Sequence, residues 1–216
     1  MRVDRFDWHL IVFHSGDVRR YLEAGGAPEK AIIHFLSWDA GIIDPWWGKD
    51  TFFARVDKIR AWGISKIVSV DFSAWADMPL VAQAYNYYKS AVVNSDLVKA
   101  GFSVIPNVQW SRPSLHGMVF SFWGRRDFVL VDCNHNVSKP ENARLFWAGA
   151  DQMLDTMAPR TLWLWGGPKP ALEGMVRRAR ARNIPNVLIV PSRAKVLSAL
   201  CRARKERAKC SSLKVG

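Results

Sequence analysis

The stretch Val68-Ser69-Val70-Asp71-Phe72-Ser73-Ala74-Trp75-Ala76-Asp77-Met78-Pro79 decides how the chain is read. Lys66–Val70 is a short β-branched run, the pattern of a buried strand. Asp71, Ser73 and Asp77 follow it at once, and Pro79 opens a long helical pattern. Polar residues at the carboxyl end of a strand, just before a helix, mark where α/β proteins hold their ligands. That unit therefore carries both a fold prediction and a site prediction.

The same unit recurs in both directions. Apolar runs at Asp7–Phe13, Ala31–Leu36, Phe102–Ile105, Asp127–Val131, Thr161–Trp165 and Asn186–Val190 read as further strands, each but Phe102–Ile105 followed by a helical pattern. The exit of Phe102–Ile105 leads into the aromatic stretch Ser111–Gly124, which has no clear period and reads as a short helix or a lid. Seven strand–helix units with no hairpin signal require right-handed crossovers and a mainly parallel sheet. The predicted fold is α/β, a compact or incomplete (β/α) barrel-like arrangement, with an open doubly wound sheet as the alternative. The helix Leu80–Ala100 is expected to turn Leu80, Ala84, Tyr88, Ala91, Val92 and Val98 inward. In the loop before Asp50 the pair Trp46-Trp47 reads as exposed.

At 216 residues and 49% hydrophobic, the chain is long enough for one sizeable core. Residues 1–192 read as a single α/β domain and 193–216 as a basic C-terminal helix and tail. No apolar run reaches the roughly 18 residues of a membrane span, and the first residues mix acid and base, unlike a secretory signal. A cytoplasmic protein without a membrane partner is the expectation. The three cysteines, Cys133, Cys201 and Cys210, lack metal-ligand spacing and read as reduced thiols.

The net charge of +12 is uneven: from Lys169 to Gly216 thirteen Lys/Arg stand against Glu173 and Glu206. A cationic end on a nearly neutral body points to a polyanion, nucleic acid first. Arg177, Arg178, Arg180, Arg182, Arg202, Arg204, Lys205, Arg207 and Lys209 would contact backbone phosphates without reading sequence.

Parallel strands gather their exits on one rim. That rim would hold Asp39, Asp71 with Ser73 and Asp77, Asn107 with Gln109 and Trp110, and Asp132 with Asn134 and His135. Asp39, Asp71 and Asp132 would supply hard oxygen ligands to Mg²⁺ or Mn²⁺, and such a metal activates water for phosphodiester cleavage. Asp71 and Asp77 would alternatively pair for acid/base work, with His135 as base or ligand and Asp132 beside it. In the plainer reading each Asp caps its own turn or the next helix. The phosphate-cradling, dinucleotide and nucleophile-elbow glycine motifs are missing, as are paired-histidine metal motifs.

Asp71-Phe72-Ser73, Asp77-Met78-Pro79, Asn86 with Tyr88, Gly101, Val104-Ile105-Pro106, Val108 and Trp110 together resemble the motifs of the domain of unknown function 4417 family. Phe120, Phe122, Phe146, Gly149, Pro159 and Trp165-Gly166 fall where that family places similar residues. The resemblance covers roughly residues 32–167, with Lys89 where an Arg is usual and Asp132–Asn136 where a Ser-Thr turn is usual. It implies a phage- or plasmid-encoded protein with no settled biochemical role. Three functions remain open at this point: a mobile-element protein that binds nucleic acid, a nucleotide or sugar enzyme using the rim aspartates, and a protein-binding scaffold or inhibitor using Trp46, Trp47 and Trp123.

Overall fold

The computed structural model describes residues 8–35, 39–134, 139–191 and 193–212, the side chains of 39–40, 193–194 and 207–212 excepted. Among these, seven strands alternate with seven helices. The strands are β1 (His9–Val12), β2 (Ala31–His34), β3 (Lys66–Val68), β4 (Ser103–Ile105), β5 (Phe128–Asp132), β6 (Thr161–Trp165) and β7 (Asn186–Ile189). The helices are α1 (Ser15–Glu23), α2 (Lys49–Ala61), α3 (Leu80–Lys99), α4 (Pro113–Trp123), α5 (Pro140–Met157), α6 (Lys169–Ala181) and α7 (Arg193–Ser212).

Every strand pair is parallel. One sheet runs β1-β2-β3-β4 and the other β5-β6-β7. A parallel bridge between Asn107 and Leu130 joins them, with Leu130 N–H donating to the Pro106 carbonyl at 2.7 Å and Val108 N–H to Leu130 at 3.0 Å. Pro106 has no N–H to give, and it sits just past β4, where the ladder narrows to this bridge.

Consecutive strands are thus neighbours throughout, without the reversal of order that marks a doubly wound sheet. Leu10, Ile32, Val68, Ile105, Leu130, Trp163 and Val190, drawn from the seven strands or their exits, form one inner cluster. The alternate residues face outward into two further clusters. Ile11, Ile33 and Ile67 pack with α1, α2 and α3, and Val129, Val131, Leu162 and Leu164 pack with α5 and α6. The arrangement is barrel-like but unclosed: among the described residues no ladder joins β7 to β1. Helix α7 lies against β1's side of the body, with Val196 buried and Leu197 and Leu200 on the outer cluster.

Two expectations fail here. Helix α3 is turned the other way: Leu80, Tyr88 and Val98 are exposed, while Gln83, Ser90, Val93, Asn94 and Leu97 are buried. Its inner face is half polar because it packs on bare backbone after β3, which demands hydrogen-bond partners rather than apolar contact. Trp46 is not exposed either. It is 1% accessible, wedged edge-on between Phe13, Phe35 and Phe52, while Trp47 stays outside.

Candidate functional site: the exit of β3 and β4

The chain leaving β3 is held by side chains of α3 spaced three or four residues apart, hence on one helix face. Asn94 bonds both backbone groups of Val70, at 2.8 Å and 2.7 Å. Ser90 Oγ accepts Phe72 N–H at 3.0 Å, Asn86 Nδ2 donates to the Ser73 carbonyl at 2.6 Å, and Gln83 Nε2 donates to Met78 at 2.8 Å. Gln83 also accepts from Ser111 Oγ, which meets the Tyr87 hydroxyl at 3.1 Å, so the rail ties the β3 exit to the start of α4. Isolated Asn, Ser and Gln residues in a helical run gave little sign of this; their common spacing was the readable signal.

With that exit fixed, Asp71 meets Asn107. Asn107 Nδ2 donates to Asp71 Oδ2 at 3.0 Å, and Asn107 N–H donates to Ser69 Oγ at 2.8 Å. Asn107 is 2% accessible, and its Oδ1 is buried with no hydrogen-bond partner among the described residues. These residues and Gln109 form the polar end of a cavity of about 210 Å³. Phe72, Tyr87 and Tyr88 make one wall, and Met118, Phe122 and Trp123 of α4 make the other. Burial, with the negative charge of Asp71 adding to it, pushes the Tyr87 phenol up, so it stays neutral.

The other rim residues separate. Trp110 turns away beneath α5, where its Nε1 donates to the Phe146 carbonyl at 3.1 Å and its ring stacks on Phe146. Asp77 is exposed and Ser73 lies outside the cavity lining. Asp132 Oδ1 accepts the N–H of Asn134 at 2.8 Å, an Asx turn, and Asn134 Oδ1 accepts Gly167 N–H at 3.3 Å, joining the exits of β5 and β6. The side chain of Asp39, and all of His135, lie outside the described residues. Among the described residues no three His, Cys, Asp or Glu side chains gather as a metal site. The sequence reading also passed over His34, which ends β2 with 2% accessibility and meets the Trp165 ring at 5.6 Å across the mouth. Its parity with Ile32 was the available clue.

The nine cations split as well. Arg178 and Arg182 are ion-paired to Asp151 at 3.3 and 3.1 Å, Arg182 reaches Asp155 at 2.6 Å, and Arg178 lies 4.1 Å over the Trp147 ring. These two clamp α6 to α5. The Arg182 guanidinium, through that hydrogen bond, holds the Asp155 carboxyl below its usual value. Arg177, Arg180, Arg202, Arg204 and Lys205 are exposed, with Arg204 also donating to the Glu23 carbonyl. The side chains of Arg207 and Lys209 lie outside the described residues. Among the described helices none is long and apolar enough to cross a membrane.

A family model described as a domain of unknown function (DUF4417) matches residues 9–179, from β1 into α6. The Gene 1 protein of Mycobacterium phage D29 is 27% identical over 184 residues, 85% of this chain and 62% of that protein. The Gene 1 protein of Mycobacterium phage L5 is 25% identical over 140 residues, 65% of this chain and 59% of that protein. The chain thus spans about three fifths of the length of these curated relatives. No solved structure matches.

Proposed function

This chain belongs to the phage-type domain of unknown function (DUF4417) family, and we propose that its β3–β4 exit cavity binds a planar, nucleobase-sized ligand presenting N–H donors. One observation carries the reading. A buried amide oxygen without a partner is costly, on the order of 1–3 kcal/mol, unless a ligand donor completes it. Asn107 Oδ1 is such an atom in a residue lining the cavity, and the bond from its own Nδ2 to Asp71 holds the amide in place. Aromatic walls with a few converging polar groups suit a flat heterocycle. Asp71 here orients the amide; a two-carboxylate mechanism with Asp77 finds no support in the position of Asp77.

Calorimetric titration with the common nucleosides tests it. At least one is expected to bind in the micromolar to millimolar range, and Asn107→Leu is expected to abolish that heat while circular dichroism stays native. Wild-type protein that binds no nucleoside at millimolar concentration ends the proposal.

A second reading has its own support. The exposed Arg177, Arg180, Arg202, Arg204 and Lys205 lie within the last quarter of the chain, which carries nearly all of its net charge. They would hold nucleic-acid phosphates without base readout.

A further inference from the structure

The outer wall of the cavity does not stop at its rim. Tyr88, which lines it, is 57% accessible and lies nearly parallel to Tyr85, at 23° and 6.3 Å between ring centroids. Trp47 meets both tyrosines edge-on, each at 6.1 Å, and Tyr85 is itself 50% accessible. Trp47 then lines a second depression, of about 520 Å³, between α2 and α3, which also holds Phe53, Lys49 and Arg60. An aromatic strip therefore runs without a break from the cavity over α3 to this groove.

Large rings left in water in one strip need a partner, since a surface of this kind is unfavourable alone. Its charge indicates which. Lys89 lies between the cavity and the strip, its Nζ 4.3 Å from the Phe72 ring and 5.4 Å from the Tyr85 ring. Lys49 is exposed at the groove end. Among the described residues neither lysine is ion-paired to a carboxylate. Asp96, the acid lining the groove, is held by Lys99 at 2.9 Å. Exposed aromatic rings interleaved with cations that pair with no carboxylate are the chemistry of single-strand binding, in which bases stack and phosphates follow the cations.

We infer that the strip Tyr88–Tyr85–Trp47 is a stacking platform for a single-stranded polynucleotide, which runs from the α2–α3 groove and delivers one base to the cavity. The delivery step rests on the function proposed above, but the platform does not. Lys89 and Lys49 neutralise phosphates of the strand, and Asn107 receives the N–H of the delivered base.

Fluorescence anisotropy with a labelled ten-nucleotide oligodeoxythymidylate decides the matter, beside nucleoside calorimetry on the same proteins. The expected result is that the oligonucleotide binds at least tenfold tighter than thymidine. Trp47→Ala/Tyr85→Ala, two surface changes, should weaken the oligonucleotide by roughly tenfold or more and leave nucleoside binding intact. Asn107→Leu should remove nucleoside binding and cost the oligonucleotide only the contribution of one base. If oligonucleotide binding needs Trp47 and Tyr85 while no nucleoside binds, the platform stands and the cavity reading falls. If the wild type binds no oligonucleotide, or the aromatic variant binds it like the wild type, the platform is overturned, and a protein partner becomes the occupant to seek.

Discussion

Asn94 on α3 satisfies both backbone groups of Val70: its Oδ1 accepts the N–H at 2.8 Å, and its Nδ2 donates to the carbonyl at 2.7 Å. A side-chain amide thus does for Val70 what a neighbouring strand does for residues within β3. This pairing lets the chain leave the sheet while still buried, and it aims Asp71 at Asn107.

Replacing Asn94 by Leu leaves two buried backbone groups without partners. Each costs roughly 1–3 kcal/mol, so a loss of about 2–6 kcal/mol is expected in urea unfolding. A change within experimental error would mean that the rail does not hold the exit.

Gly149 faces the Trp110 ring so closely that an added Cβ would overlap it. Gly149→Ala should therefore destabilise by about 1–3 kcal/mol through overpacking. Trp110→Leu should relieve part of that cost in the double variant, a coupling visible in a double-mutant cycle. Strict additivity would contradict the contact.

Cys133 is buried while Cys201 is exposed, and burial pushes the Cys133 thiol up to about 12. In a Cys210→Ser background, a thiol reagent at pH 8 should modify Cys201 within minutes and Cys133 only after unfolding. The raised pKa has a second consequence. The neutral thiol's contribution is complete below the ordinary thiol value near 9 and is lost as pH rises toward about 12. Cys133→Ala should flatten that alkaline limb of the stability curve.

If the exposed C-terminal cations engage duplex DNA at roughly five phosphates, log K should fall with log salt at a slope of about −4 to −5. Arg177→Gln/Arg180→Gln should flatten it by nearly two units. Arg182→Gln should instead lower the melting temperature, because Arg182 is bound to Asp151 and Asp155. A salt-independent affinity would remove the second reading of function.

Much was legible without coordinates. Apolar runs alternating with helical patterns specify successive crossovers, and these specify parallel strands whose exits meet. Asp71, Asn107 and Gln109 line one cavity where the strands exit, and strand direction decides that placement. The inward phase of α3 was not legible. Hydrophobic periodicity reports where apolar side chains go, and the buried face of this helix carries Gln83, Ser90 and Asn94 to serve backbone.

Burial of Trp46, the retreat of Trp110 under α5 and the capture of Arg178 and Arg182 by Asp151 and Asp155 share one cause. Each depends on a partner far along the chain, 36 residues for Trp110 and its Phe146 carbonyl, 27 for Arg182 and Asp155. The sequence by itself determined the direction of the strands and the end of the sheet where the proposed ligand would enter. Only tertiary structure decided which side chains remain open to it, because hydrogen bonds and ion pairs act over a few ångströms and require the fold to bring their two ends together.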